Sequence, residues 1–124
     1  MAINYNQYMD KNDNWIKQLR KGIFELAILL ILSKQDFYGY DLTNKLNTIP
    51  FFTMANGSIY PILKKLENNG YISSYWGSTE IIPRRKYYKI TRKGEEVLKQ
   101  RLEIHSNLHE SLNILKKGCE DNDS

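Results

Sequence analysis

The sequence is poor in residues that cross-link a chain or bind metals: its 124 residues include one cysteine, Cys119, and two histidines. One thiol cannot form an intramolecular disulfide, and one thiol with two imidazoles does not complete a zinc site, so disulfide-stapled and zinc-stabilised domains are excluded. Long apolar runs are also missing. The most apolar stretch, residues 23–32, is ten residues long and includes Glu25, whereas a helix that spans a bilayer needs about 20. The polar N-terminus lacks the apolar segment of a signal peptide, so we expect a cytoplasmic protein that is not bound to a membrane.

Patterns typical of enzymes are absent as well. The sequence has no Gly-rich phosphate-binding loop, no nucleophile beside a base and no set of metal ligands. It therefore predicts a protein that is not an enzyme and needs no cofactor. What the sequence does contain is an excess of positive charge, with 18 Lys and Arg against 14 Asp and Glu and a net charge of +4. Such an excess fits a nucleic acid, an anionic membrane or no particular partner, so the positions of the charges have to decide.

The spacing of apolar residues and helix breakers predicts one domain with the order helix, helix, helix, strand, strand, helix. A polar arm precedes the first helix, which begins near Asn12 or Asp13. Thr91 caps the last helix, which is too long for so small a domain to cover by itself. The predicted elements are helices over residues 13–34, 39–47, 56–69 and 92–117, and strands over residues 71–76 and 85–90. The predicted fold class is α+β, mainly α: a winged helix-turn-helix with a long C-terminal dimerisation helix.

The third predicted helix has one apolar face and one polar face. On a helical wheel the apolar side, assigned to the core, consists of Ile59, Ile62, Leu63 and Leu66. The opposite side has no acid at its centre and combines short, polar and positively charged residues: Gly57, Tyr60, Pro61, Lys64, Lys65 and Asn68. Asn56 and Ser58 can cap the helix, and free amides at a helix N-terminus can bind a phosphate. Alone, this pattern fits a solvated helix face as well as a surface that reads DNA.

Three consecutive positive charges lie at the base of the predicted hairpin, where Arg84, Arg85 and Lys86 follow Pro83. A charged ribbon edge beside a helix can hold DNA phosphates. It can equally discourage strand-to-strand aggregation. The order of elements brings this wing next to the third helix, which favours DNA as the partner of both.

The last helix carries a nearly heptad seam. Its residues recur every three or four positions: Leu98, Arg101, His105, Leu108, Leu112 and Leu115. Leu102 lies beside the Arg101 position and is assigned to the same interface. A seam on an over-long helix favours pairing with the same helix of a second copy. Packing against the first helix of its own chain is the alternative, and a long helix has room for both.

Six short segments stand in a fixed order along the chain: Gly22-Ile-Phe-Glu-Leu-Ala-Ile-Leu29, Tyr38-Gly-Tyr-Asp-Leu42, Gly57-Ser-Ile-Tyr-Pro-Ile-Leu63, Leu66-Glu-Asn-Asn-Gly-Tyr-Ile72, Arg84-Arg-Lys-Tyr-Tyr88 and Ile90-Thr-Arg-Lys-Gly94. Together, over residues 20–95, they resemble the PadR family of bacterial transcriptional regulators. The length and the single C-terminal helix resemble the small-member branch of that family, which includes multidrug-responsive repressors.

The resemblance implies a sequence-specific repressor that binds a pseudo-palindromic DNA operator as a homodimer and is released by a small-molecule effector. It also implies that Ser58, Tyr60 and Lys64 face DNA, that Tyr38 touches the DNA backbone and that residues 84–86 belong to the wing. The helical wheel independently supports Tyr60 and Lys64, whereas a core position fits Tyr38 as well. The predicted segments are a polar N-terminal arm over 1–12, a DNA-binding domain over 13–91, a dimerisation helix over 92–117 and an acidic tail over 118–124.

His105 is the odd residue of the seam. Drug-binding members of the branch are similar in using an aromatic residue of this helix to stack planar ligands, and by spacing from Thr91 and Gly94 the matching position is His105. An imidazole stacks less area than an indole, so a pH-responsive role or simple packing at a partly wet seam are alternatives. We hypothesise an effector site at His105 and Trp15, with a core or interface position as the alternative for Trp15. His109 completes no metal site with His105, because no third ligand is near in sequence.

A winged helix that binds protein instead of DNA is the competing class. Such a module would not need positive charge around Lys64 and at residues 84–86. Binding to random duplex DNA at low salt separates the two classes, because phosphate contacts lose affinity steeply as salt rises.

Overall fold

The computed structural model describes the backbone of residues 5–122 and the side chains of residues 11–119. Its elements are α1 Tyr5–Leu32, β1 Phe37–Tyr38, α2 Gly39–Asn47, a 3-10 turn Pro50–Phe52, α3 Ile59–Asn68, β2 Ile72–Trp76, β3 Lys86–Ile90 and α4 Arg92–Asn122. The strands form one antiparallel sheet in the order β1-β3-β2. The fold is therefore mainly helical with a small sheet, as the sequence predicts. Within the described region, no helix is both long enough and apolar enough to cross a bilayer.

The core lies where α1, α2 and α3 meet the inner face of the sheet. Its most deeply buried side chains come from all three helices and from β2: Ile28, Leu29, Leu32, Leu42, Leu46, Ile59, Leu63, Leu66 and Ile72. Three of the four residues that the helical wheel assigns to the core of α3 are fully buried, and the fourth, Ile62, packs against them. The predicted phase of α3 is thus confirmed, and its other face is left to the surface.

One buried acid connects three helices. Glu25 of α1 is 9% exposed, and its Oε2 accepts a hydrogen bond of 3.1 Å from the Lys65 ammonium of α3. The Arg101 guanidinium of α4 lies 3.6 Å from the other carboxylate oxygen. A buried carboxylate needs such partners because losing its hydration is costly. The two cations therefore fix where α3 and α4 lie against α1.

The ends of α3 and the start of α4 are set by local hydrogen bonds. Gly70, with φ +77°, ends α3, and the next amide, of Tyr71, donates to the Leu66 carbonyl at 3.0 Å. This is the bond pattern of a Schellman motif. The predicted cap at Thr91 is confirmed, since its hydroxyl accepts from the Gly94 amide at 3.0 Å. The predicted side-chain cap of α3 is wrong at Ser58, which precedes the helix in αR geometry without a capping hydrogen bond.

Both terminal helices are longer than the sequence predicts. The first helix begins at Tyr5 instead of Asn12 or Asp13, although Asn12 is non-helical (φ −113°, ψ 15°) and kinks it there. Residues 1–4 of the predicted arm lie outside the described residues. The last helix continues past Lys117 to Asn122, so most of the predicted tail over 118–124 is helical. Both extensions are polar and lack proline, and polar segments without proline can be helical without showing an apolar period.

Gly94 allows α4 to begin against the turn that follows α3. A Cβ at this position would lie 2.0 Å from the Tyr71 carbonyl oxygen and 2.8 Å from the Ile90 side chain. The Tyr71 carbonyl also accepts the Thr91 amide at 3.0 Å, so it cannot move without losing that bond. The close approach of two backbone segments therefore requires glycine.

We expect Gly94→Ala to lower the free energy of unfolding by about 3 kcal/mol, because the clash is with backbone and cannot be relieved by a rotamer change. Chemical denaturation followed by circular dichroism measures the effect. Gly118→Ala is the matched control, since a Cβ there has no neighbour within 4 Å, and it should be neutral or stabilising by up to about 1 kcal/mol. Equal stabilities for the two variants would contradict the assigned contact.

Candidate nucleic-acid interface

The outer face of α3 and the loop before it form a continuous exposed strip. Tyr60 is 50% exposed, and the other members are exposed too: Asn56, Gly57, Ser58, Pro61, Lys64 and Asn68. Pro61 occupies the first turn of the helix, where its missing N–H leaves no helical bond unmade. We call these seven residues the α3 strip. It presents hydroxyl, amide and ammonium groups, which are the groups that contact phosphates and base edges.

Tyr60 lies against the first residue of α2. A Cβ on Gly39 would meet the Tyr60 ring at 2.7 Å and its hydroxyl oxygen at 2.9 Å. Gly39 is buried, and its carbonyl accepts the Thr43 hydroxyl at 3.1 Å. The absence of a side chain at Gly39 thus gives Tyr60 its position, and α3 packs closely onto the start of α2.

Next to Gly39, an aromatic cluster joins α2 to the wing. The Tyr38 ring stacks with Tyr40 at 6.3 Å between centroids and meets Tyr87 of β3 edge-on at 5.8 Å. The Arg85 guanidinium lies over the Tyr38 ring at 4.6 Å, a distance typical of a cation–π contact. Tyr87 also stacks on Tyr75 of β2 at 5.6 Å. The structure therefore brings Tyr38 and Arg85 together beside Tyr60.

The rest of the wing's positive charge is also supported by aromatic rings. The Arg84 guanidinium lies 5.6 Å from the Trp76 ring centre, and the Lys86 ammonium lies 5.7 Å from that of Tyr88. At the start of the hairpin loop the Gly77 amide donates to the Arg85 carbonyl at 2.7 Å. Cations that lie on aromatic rings keep their charge and can still donate hydrogen bonds to a phosphate.

Two carboxylates lie at the margin of this surface, each held by a tyrosine. Partial burial and a hydrogen bond to Asp41 raise the pKa of the Tyr38 hydroxyl above its usual value. The hydrogen bond from Tyr75 to Asp36, 2.6 Å long, and partial burial do the same to the pKa of Tyr75. Both hydroxyls therefore stay protonated at neutral pH and act as donors.

One predicted DNA contact and one predicted dimer contact are used within the chain. The Lys65 ammonium is bonded to Glu25, so Lys65 is held towards α1 and does not belong to the α3 strip. Leu98 is only 7% exposed and is part of the core of its own chain; its assignment to the dimer seam is corrected accordingly. Leu98 lies near the start of α4, the helix that packs against α1 of the same chain.

The aromatic cluster and β1 were missed by the sequence reasoning. Tyr40, 61% exposed, was not among the predicted contacts, although it follows Tyr38 by two positions. β1 has two residues, Phe37 and Tyr38, which pair with Tyr88 and Tyr87. Two residues are too few to show an alternation. The available signal was the alternation of β3, which places Arg85 and Tyr87 on the same side.

Beyond Leu98, the apolar side chains that α4 presents are exposed in the described part of the chain. Exposed fractions of 38–67% apply to the remaining seam leucines: Leu102, Leu108, Leu112 and Leu115. Ile104, 66% exposed, adjoins the seam and was not predicted. His105 is exposed and lines a groove of about 380 Å³ between α1 and α4, whereas Trp15, 63% exposed, does not line it.

The chain is similar to known bacterial regulators. The sequence profile of the family described as "Transcriptional regulator PadR-like family" matches residues 28–100. A PadR-like transcription factor from Bacteroides fragilis is 37% identical, with 82% of this chain and 98% of that chain covered and a TM-score of 0.69. A PadR-like transcriptional regulator from Bacillus cereus is also 37% identical, with 79% and 95% covered and a TM-score of 0.70. An uncharacterised protein from Lysinibacillus sphaericus is 26% identical over 102 residues, which cover 81% of this chain and 94% of that protein.

The contact between Gly39 and Tyr60 can be tested with a double-mutant cycle. We expect Gly39→Ala to lower the free energy of unfolding by about 1 kcal/mol or more, because the new methyl group displaces the Tyr60 ring. In a Tyr60→Ala background the same substitution should cost less, with a coupling energy of about 0.5 kcal/mol or more. Urea denaturation of the four proteins measures both quantities. Additive effects of the two substitutions would show that the residues are not in contact.

Proposed function

The chain belongs to the PadR-like family of transcriptional regulators, and on that premise we propose that it represses transcription by binding a pseudo-palindromic operator as a homodimer. The premise makes it a DNA-binding regulator. The proposal adds which residues contact DNA and how two copies pair. It also adds that binding represses transcription and that a small molecule releases the protein from its operator. Since the DNA of a bacterial cell lies in its cytoplasm, we place the protein there.

The observation that carries the proposal is the continuity between the α3 strip and the wing. Tyr60 of the strip packs on Gly39, the Arg85 guanidinium lies over the ring of the neighbouring Tyr38, and Arg85 is the middle residue of the charged segment 84–86. A helix and a hairpin that share one face can place the helix in the major groove while the hairpin contacts the flanking phosphates. We therefore assign base contacts to the α3 strip and phosphate contacts to Tyr38 and residues 84–86.

Pairing through α4 is supported by its exposed seam. With 31 residues, α4 is about 46 Å long. Its leucines beyond residue 101 have exposed fractions of 38–67% in the single chain. Two such helices packed together bury the same residues on each copy, which is the symmetry of a twofold dimer. The dimer would then set the distance between two α3 strips, as a palindromic operator requires.

Release by an effector is the part of the proposal that concerns His105 and Trp15. His105 lines the groove between α1 and α4 together with Ile104 and Leu108, so a ligand there would touch seam residues. Trp15 lies outside that groove. In the proposed dimer, we assign its part in the site to contacts with the second copy. A ligand that binds one arrangement of the paired helices better than another would change the spacing of the α3 strips.

Lys64→Ala should weaken binding to duplex DNA at all salt concentrations and lower the slope of log K against log salt by about 1, because one phosphate contact is lost. The midpoint of thermal unfolding should not change, since Lys64 faces away from the core. Fluorescence anisotropy across a salt series measures the slope. Lys99→Ala, an exposed lysine of α4, is the control and should bind as the original protein does. A wild-type protein that fails to bind duplex at low salt would favour a protein-binding winged helix instead.

Leu108→Asp should convert the dimer to monomers, because a carboxylate on the seam would be buried without a partner. Sedimentation equilibrium measures the mass, and affinity for a palindromic duplex should fall with it. Ile114→Asp replaces an equally exposed residue, 64% against 56%, that lies on another side of the helix. That control should remain dimeric. An intact Leu108→Asp dimer would place the pairing surface elsewhere.

A further inference from the structure

A second cleft lies between α1 and the loop that leads into α3. It has a volume of about 490 Å³, within the range of pockets that hold small ligands. Its lining includes three cations and three apolar side chains: Lys17, Arg20, Lys21, Phe24, Met54 and Ile62. The cations come from one face of α1, because positions three and four apart on a helix are neighbours. The cleft is separate from the groove that His105 lines.

Arg20 has an unmet hydrogen-bonding need in this cleft. Its Nε is shielded from water and has no acceptor among the described residues. The guanidinium lies over the Phe51 ring, 5.4 Å from its centre. This cation–π contact restrains the position of the Arg20 side chain. A buried donor without a partner is unusual in a folded protein. An anion in the cleft would place a charge opposite to that of the guanidinium beside Arg20.

No carboxylate of the described side chains lines the cleft. The nearby Asp13 pairs with Lys17 at 3.1 Å on the surface, so Arg20 and Lys21 are the lining cations left to hold an anion. Phe24 is 9% exposed, and Met54 and Ile62 pack against the core. We propose that this cleft binds a small organic anion, with its charged group at Arg20 and Lys21 and its apolar body on Phe24, Met54 and Ile62.

Such a ligand would lie beside the DNA-contacting strip. The loop residues Met54 and Ala55 and the strip residue Ser58 also line the cleft. The loop is held at both ends, because the Met54 amide donates to the Asn47 side chain at 2.9 Å and the Ser58 amide to the Ala55 carbonyl at 3.2 Å. A bound anion places negative charge next to the position that a DNA phosphate would take. Ligand and DNA therefore oppose each other, a step that rests on the proposed function.

Isothermal titration calorimetry on the full chain tests the site with three probes: 2-naphthoate, its neutral counterpart 2-naphthamide and inorganic phosphate. We expect 2-naphthoate to bind about tenfold more tightly than either of the others, since charge-assisted bonds and the apolar floor are both needed. Arg20→Met and Lys21→Met should each weaken 2-naphthoate binding, Arg20→Met by about tenfold. Lys99→Met, at an exposed lysine of α4 outside the cleft, is the matched control and should leave binding unchanged. Circular dichroism checks each fold, and Lys21→Met, an exposed position, decides if Arg20→Met unfolds.

The same proteins are then titrated with duplex DNA. Saturating 2-naphthoate should lower the affinity of the original chain for duplex about fivefold or more, and it should have little effect on Arg20→Met. The proposal is overturned if 2-naphthoate does not bind, if the amide or phosphate binds as tightly as 2-naphthoate, or if Lys99→Met weakens binding as much as Arg20→Met does. It is also overturned if Arg20→Met instead lowers the salt slope of DNA binding, which would make the cleft a phosphate contact. A chain that binds 2-naphthoate but no duplex would contradict the proposed function and leave the anion site standing.

Discussion

The positions of α3 and α4 against α1 depend on the Glu25 carboxylate, which is buried in α1 between a lysine of α3 and an arginine of α4. Because a desolvated carboxylate is costly without partners, both cations are drawn towards the same point. The lysine remains 65% exposed and the arginine 36%, so solvent weakens the attraction and the pairs contribute more to orientation than to stability. Glu25 thereby orients α3, which carries the α3 strip, and α4, which carries the apolar seam, against α1.

Tyrosines hold the other end of the proposed DNA-contacting face in place. Tyr38, Tyr75 and Tyr87 join β1, β2 and β3 through ring contacts, and Arg85 rests on Tyr38. An aromatic ring can pack on one side and offer a hydroxyl or a negative face on the other. This explains how a three-stranded sheet with a two-residue strand can keep a positively charged hairpin in place beside α3.

The sequence predicted the family, the fold class and the core phase of α3, because short motifs and the spacing of apolar residues indicate each of them locally. Ile59, Leu63 and Leu66 recur at helical spacing, and Gly70 and Thr91 mark helix ends by their own chemistry. What the sequence could not show depends on contacts between distant segments. The pairing of Lys65 with Glu25 joins residues 40 positions apart, and Leu98 continues a seam by spacing although it is buried in the core of its own chain. The cleft at Arg20 combines α1 with a loop that has no periodic signal at all.

The exposed half of α4 has a consequence for dosage. Only the first turns of α4 are buried within the described part of the chain. In the proposed dimer, the protein therefore binds its operator only after two copies have paired through the rest of this helix. At concentrations below the dissociation constant of the pair, the amount of paired protein grows with the square of the total, so occupancy of the operator would change more steeply than the level of the protein. A modest rise or fall in synthesis would then act as a threshold on the regulated gene.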